Sequence, residues 1–223
     1  MNTAGSNRKR ARELLDRLER LYPGAATELE YGSTFQLLVA VMLSAQCTDR
    51  QVNKITAGLF KKFSTPEDFA ALEWEELARQ IKGCGLYRNK SRNIVAASRI
   101  LVDQYGGRVP GSREELEALP GVGRKTANVV LNVAFGQPVM PVDTHVFRLA
   151  RRLSFSSGRT PAAVEQDLLQ VVPARRLGQA HHSLILHGRS VCRARSPRCA
   201  ECVLADLCPS GSSVVSPQTP GSD

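Results

Sequence analysis

The sequence predicts an all-α fold, and three observations carry that prediction. Apolar residues return at helical spacing in one segment after another, as in Ala11, Leu14, Leu15, Leu18 and Leu21, the period of a helix with one buried face. Residues that cap helix starts stand just ahead of such segments, at Ser33, Thr65, Ser112 and Thr160. Strand-like alternation never persists beyond a few residues, and no internal repeat is present. With 223 residues, 42% of them hydrophobic, the chain can build one large domain or two small lobes with real cores.

Taken in order, Met1 to about Asn7 is expected to fray, and a first helix to run from Arg8 to Tyr22 until Pro23-Gly24 ends it. Ser33 and Gln36 form a capping box before Phe35–Leu43, a run apolar on nearly all sides and hence a buried helix. It leads into the polar elbow Ser44-Ala45-Gln46-Cys47-Thr48-Asp49, a place from which side chains can be aimed at a ligand. Asp49 either caps the next helix or lies near a site, and capping is the simpler role. Helices follow over Val52–Phe63, from Thr65-Pro66 through Leu72, and over Glu75–Ile81. A glycine-flanked turn from Gly83 to Lys90 presents Leu86 and Tyr87. Leu86 either packs inward or stands out as a wedge between bases. Ser91–Tyr105 is a long amphipathic helix that Gly106-Gly107 breaks.

The next stretch organises the rest. Ser112 with Glu115 starts a short helix; Pro120 and Gly121 stop it; Gly123 opens a second helix from Arg124 to about Phe135. Free N–H groups at that start suit a phosphate, so Gly121, Gly123, Arg124 and Thr126 are candidate contacts. The pattern is a helix-hairpin-helix, which grips a nucleic-acid backbone without reading sequence. Lys125 sits just inside the second helix. The positive end of the helix dipole disfavours a second positive charge there, so this amine should lose its proton more easily than a free lysine. A neutral amine in an electropositive, partly dry setting is a nucleophile. The pattern equally allows Lys125 to be one more phosphate clamp. Val130, Leu131 and Ala134 should face the core, while Asn128 and Asn132 share the face of Lys125.

After the loop Gly136-Gln137-Pro138, Asp143 is placed as the N-cap of a helix. It can still face a cation, because a capping carboxylate stays ionised. His145 either holds a DNA backbone or the cap geometry, and Arg148, Arg151 and Arg152 form a basic strip. Thr160-Pro161 caps a helix to about Val171, and another runs from Leu177 to Gly188 with His181, His182 and His187, which read as packing or backbone contacts. The segment from Leu153 to Gly158 carries no readable signal. From Pro209 the chain is rich in Ser, Pro and Gly, so residues 209–223 are expected to be a disordered tail.

Thirty Lys and Arg against 21 Asp and Glu leave a formal net charge of +9, which suits a polyanionic partner. No apolar run resembles a signal peptide or spans a bilayer, so a cytoplasmic protein without a membrane partner is expected. Six cysteines in a reducing compartment argue against a disulfide framework. Cys192, Cys199, Cys202 and Cys208 are separated by six, two and five residues, which suits a compact metal centre. Structural zinc more often shows two Cys-x-x-Cys elbows, so the spacing favours iron–sulfur over zinc without excluding it. Arg189, Arg193, Arg195 and Arg198 lie beside or within the first gap and are candidate phosphate contacts. Cys47 and Cys84 read as small packing residues.

Leu119 to Thr126, Val142 to Phe147 and the cysteine run together resemble the endonuclease III family of DNA glycosylases, over about Ser33 to Cys208. The resemblance implies a six-helix lobe over 27–137, holding the helix-hairpin-helix at about 112–135, and an iron–sulfur lobe over 1–26 plus 138–208, with a DNA groove between them. By the same resemblance Lys125 attacks the sugar C1′ of a damaged nucleotide and Asp143 assists. Gln46 and Leu86 fill the gap left by the extruded nucleotide. Cys192, Cys199, Cys202 and Cys208 hold a 4Fe–4S cluster. The implied reaction is base excision of oxidised or ring-damaged pyrimidines through a lysine Schiff base, with a β-elimination nick. The partner would be double-stranded DNA with a damaged base or abasic site, the chain a monomer, nucleoid-associated if bacterial. Two other readings stand beside it. One is an adenine-mismatch glycosylase of the same superfamily, a group that generally lacks the lysine and carries an extra C-terminal domain. The other is a non-catalytic DNA-binding iron–sulfur module.

Overall fold

The computed structural model describes residues 3–211. Among them every regular element is helical, α1 to α11, with two short 3₁₀ turns at Ala174–Arg176 and Cys199–Glu201. By its contacts the chain divides into two units, 27–137 and 1–26 plus 138–223.

The unit of 27–137 is built on α2 (Thr34–Ser44), whose residues Phe35 and Leu37 to Leu43 are all buried. A helix apolar on every side belongs in the middle of a core. Here α8 (Arg124–Phe135), α3 (Asp49–Lys62) and α6 (Tyr87–Tyr105) pack round it, and α4 (Pro66–Ala70) and α5 (Trp74–Gln80) cover α6. Phe69 stacks edge-on against Phe35 at 5.3 Å and Phe63 at 6.2 Å. Seven helices lie in this span rather than six, because α4 and α7 (Arg113–Glu117) are separate five-residue turns of helix. The Thr65 capping box holds α4 at its start, where Asp68 accepts from the Ser64 and Thr65 N–H groups.

Two expected caps differ in detail. At Ser33 the hydroxyl accepts from Gln36 N–H, but the Gln36 side chain reaches Gly32 N–H instead of Ser33. Thr48, not Asp49, caps α3 by accepting from Gln51 N–H, and Asp49 is the first helical residue. A hydroxyl one residue earlier is better placed to meet that donor.

In the other unit, α1 starts at Thr3, so the expected fraying up to Asn7 is not found over the described residues. Leu14, Leu15 and Leu18 of α1 pack with Val146 and Leu149 of α9 (Thr144–Arg152), Val164 and Leu168 of α10 (Pro161–Val171), and Leu184 of α11 (Leu177–Ser190). Polar side chains on α1 tie down later segments. Arg10 donates to the Leu153 and Leu207 carbonyls, and Arg17 to the Val203 carbonyl and Asp206. Asp16 and Glu19 pair with Arg176. Residues 209–211, expected to belong to a disordered tail, form a turn: Ser210 Oγ donates to Arg152 O and Gly211 N–H to Cys208 O. The remainder of that expectation lies outside the described residues. No helix among the described residues is long and apolar enough to cross a membrane.

Candidate functional site

The hairpin forms as its residues dictate. α7 is capped by Ser112, which accepts from Glu115 N–H, while the Glu115 carboxylate accepts from the Ser112 hydroxyl at 2.6 Å instead of reaching back to the backbone. Gly121 has φ +78°, and a Cβ there would meet the Asn93 side chain at 2.7 Å; both facts require glycine. Val122 between the glycines is buried. Gly123 opens α8 and has no side chain with which to cap it. Lys125 stands exposed in that first turn, which differs from the partly dry setting expected of it. Arg124 and Thr126 are half-buried beside it. Asn128 does not serve the face of Lys125. It is buried and accepts from Arg113 Nε at 3.0 Å, tying α7 to α8. Asn132 Nδ2 donates to Gln137 O at 3.3 Å.

Gln46 and Leu86 share a conformation that the sequence did not announce. Both are exposed, and both have left-handed backbones, φ +56° and +57°. A side chain there costs about 1–2 kcal/mol, and strain of this kind gathers at functional sites. Their loops also touch. A Cβ on Gly85 would lie 3.4 Å from Gln46 O, Gln51 Nε2 donates to Gly83 O, and the Cys47 thiol contacts Cys84 Sγ at 3.6 Å. Beneath the Gln46 elbow, buried Lys90 donates from Nζ to Leu43 O at 2.7 Å, meeting a carbonyl in the last turn of α2. Lys90 was expected only as part of an exposed turn; nothing local in the sequence shows that it reaches α2.

In the other unit, Asp143 is the N-cap of α9. One oxygen, Oδ1, accepts from His145 N–H and Val146 N–H, each at 2.8 Å. His145 Nδ1 lies 3.2 Å from Arg148 Nη2. A guanidinium can only donate, so Nδ1 accepts and the imidazole proton sits on Nε2. Gly188 makes this packing possible, since a Cβ there would meet His145 and Arg148 at about 3 Å.

The expected basic strip is mostly committed inward. Arg148 donates to Cys192 O and Gly188 O, and Arg152 to Arg193 O, Ala194 O and Cys192 Sγ. These two arginines brace the cysteine loop. The spacing of the cysteines gave no hint of them. Arg189, Arg193, Arg195 and Arg198 are exposed; Arg193 also donates to Ser190 O, and Arg198 lies 3.8 Å from Glu201.

Cys192, Cys199, Cys202 and Cys208 line one cavity of about 190 Å³. Burial pushes the Cys202 thiol up, and the other three cysteines add to the rise. Four thiolates facing one space need positive charge among them. Among the described residues no three His, Cys, Asp or Glu side chains are arranged to hold a single metal ion. A cavity of this size walled by four sulfurs fits a polynuclear iron–sulfur group. Buried His187 reaches Cys202 Sγ with Nε2 at 3.4 Å and the Tyr22 hydroxyl with Nδ1 at 3.2 Å. Burial lowers its pKa to about 4, so it is neutral at pH 7. That agrees with a packing role, and extends it to a cysteine ligand.

Comparison with known proteins agrees with this arrangement. The sequence model for "HhH-GPD superfamily base excision DNA repair protein" matches residues 39–174, and that for "Iron-sulfur binding domain of endonuclease III" matches 192–208. Endonuclease III of Escherichia coli (strain K12) is 51% identical over 202 residues, which covers 91% of this chain and 96% of the relative. Endonuclease III of Bacillus subtilis (strain 168) is 49% identical over 206 residues, 92% of this chain and 94% of its own. A solved structure of a trapped endonuclease III–DNA covalent intermediate superposes with a TM-score of 0.88 at 47% identity, covering 93% of this chain and 98% of that one.

Proposed function

Because this chain belongs to the endonuclease III family of base-excision DNA repair glycosylases, we propose that Lys125 is its nucleophile and Asp143 the residue that assists it. The family activity, a DNA glycosylase with AP lyase action on DNA, is the premise. The observation that carries the assignment is the setting of Lys125: exposed, in the first turn of a helix with no side-chain cap, directly after the hairpin. Phosphates of a bound duplex meet the start of α8, and the DNA itself then supplies the dry surroundings that the free protein lacks.

In this reading a damaged nucleotide is extruded, at a cost of a few kcal/mol that is smaller when the base stacks poorly. Gln46 and Leu86 fill the gap. The lysine amine bonds to C1′ as the base leaves. Asp143, whose Oδ1 already accepts from two backbone N–H groups, takes the proton shed by the amine or faces the positive charge that grows on the sugar. The Schiff base between Nζ and C1′ acidifies the neighbouring carbon, and β-elimination breaks the strand 3′ to the lesion. His145 donates its Nε2 proton to a phosphate, and Arg189, Arg193, Arg195 and Arg198 offer positive charge to the backbone. The substrates proposed are duplexes carrying oxidised or ring-damaged pyrimidines or abasic sites, acted on by a monomer. The proposed location is the cytoplasm, at the nucleoid in a bacterium.

Cys192, Cys199, Cys202 and Cys208 hold the 4Fe–4S cluster of this family. When bound, the cluster supplies the metal charge that lets four thiolates share a cavity and fixes the arginine-bearing loop.

The test is borohydride trapping on a duplex with one abasic site. Wild type forms a covalent adduct, and peptide mapping places it on Lys125. Lys125→Gln forms none while still binding the duplex. An adduct on another side chain overturns the assignment. Tight binding with no adduct from wild type supports the non-catalytic reading instead.

A further inference from the structure

The two loops that carry the left-handed residues are joined by a pair of thiols that the proposed chemistry does not use. Cys47 follows Gln46 directly, and Cys84 precedes Leu86 by two residues. Their sulfur atoms lie 3.6 Å apart, and neither is engaged in a disulfide. Neither belongs to the cluster run. Cys84 is 2% exposed, while Cys47 is half-buried and open to a small reagent.

We propose that Cys47 and Cys84 are a redox-responsive clasp: they close into a reversible disulfide under oxidising thiol conditions, and closure draws the Gln46 and Leu86 loops out of register and suppresses excision. For its functional consequence this rests on the gap-filling roles given above; the thiol chemistry stands without them.

The order of the steps follows from the two surroundings. Burial, reinforced by the hydrogen bond from Cys47, pushes the Cys84 thiol up to about 11, with Lys90 opposing the rise. Cys84 is therefore a poor first nucleophile, and Cys47 leads. The Cys47 thiolate attacks one sulfur of a small disulfide such as oxidised glutathione, and one glutathione thiolate leaves. Cys84 then gives up its proton and attacks the Cys47 sulfur of the mixed disulfide, expelling the second glutathione. Two protein thiols are oxidised, and one glutathione disulfide is reduced to two glutathiones.

Geometry sets the consequence. A disulfide bond is about 2.05 Å long, so the sulfurs must close about 1.5 Å from their present 3.6 Å separation. That movement must be taken up by loops already in contact, where Gly85 lies against Gln46 O. Misplacement by about 1 Å in a catalytic assembly can cost about 10²-fold. Closure is therefore expected to lower single-turnover excision at least about tenfold.

The experiment treats the cluster-loaded protein with a glutathione disulfide buffer and follows cluster absorbance throughout. The expected product is lighter by two hydrogen atoms, with Cys47 linked to Cys84 in its peptide map. Its excision falls by at least the stated factor and returns with dithiothreitol. Cys47→Ala and Cys84→Ala keep the activity of the reduced protein and do not respond to the buffer. The proposal is overturned if glutathione stays on Cys47 with no internal link, if the links involve only the cluster cysteines, or if the link forms and excision is unchanged. Failure of borohydride trapping in the reduced protein would count against the Lys125 assignment and not against the link, which mass alone reads.

Discussion

Replacing Asp143 by asparagine and by alanine separates what its carboxylate does for the fold from what it does for the reaction. In the fold, Oδ1 meets two backbone donors of α9 at 2.8 Å each. Alanine leaves both unmet and removes a negative charge from the positive end of the helix. A cap lost to alanine costs about 1–2 kcal/mol, nearer the upper figure when the acceptor is charged. For a chain of this size each kcal/mol moves Tm by about 2–4 °C, so Asp143→Ala should melt about 4 °C below wild type. Asparagine keeps an oxygen in the same place and caps nearly as well as aspartate, so Asp143→Asn should melt within about 1 °C of wild type. In the reaction the two variants should look alike, because neither can take a proton or offset a cation. A positioned proton acceptor contributes about 10²–10⁴ in rate. Single-turnover excision, measured beside melting and affinity for an abasic duplex, should show both variants slowed by that factor, with affinity kept or raised by Asp143→Asn. Wild-type excision by Asp143→Asn, with a stability loss confined to Asp143→Ala, would reduce Asp143 to a cap and refute its catalytic role.

Lys90→Met should lower Tm by about 6 °C, from about 2 kcal/mol for a charged hydrogen bond whose buried acceptor, Leu43 O, is left unmet; an unchanged melt would show that the 2.7 Å contact does not stabilise the end of α2. Leu86→Gly should leave Tm level or raise it while slowing excision, since glycine accepts φ +57° without strain; a fall in Tm with excision intact would mean that Leu86 serves packing. Arg152→Met removes donors to Cys192 Sγ, Arg193 O and Ala194 O. Visible absorbance should then fade faster than in wild type when an iron chelator is added, and equal rates would show that the arginine does not brace the cysteine loop.

What the sequence shows of this protein is set by how far each cause reaches along the chain. Caps at Ser33, Thr65, Ser112, Asp143 and Thr160 act within three residues, and each is found where the pattern puts it. The buried α2 needs no partner to be recognised, because a helix with no polar face has nowhere else to go. The hairpin glycines are legible for the same reason: φ +78° at Gly121 is a demand made by the chain on itself. Identity at Asp49 failed by one position, because two neighbouring residues could both serve as cap and the hydroxyl of Thr48 met the donor.

The misreadings are of another kind, since they concern side chains whose partners lie fifteen or more residues away on other elements. Arg148 and Arg152 read as a basic strip because their spacing along α9 is local, whereas the carbonyls they meet are about forty residues downstream. Asn128 shares a helical face with Lys125, but its partner Arg113 lies on another helix and draws it inward. Lys90 crosses from α6 to the end of α2. In each case the fold had already engaged the polar group through a partner on another element, and a buried acceptor left without its donor costs about 1–3 kcal/mol. The residues left facing outward are then the informative ones. Lys125 is exposed in the first turn of a helix whose N-cap is a glycine, and Gln46 and Leu86 are held at positive φ with their side chains exposed. In the reaction proposed above, a duplex with one nucleotide turned out would give each of them a partner: phosphates, a sugar carbon and an empty place in the stack.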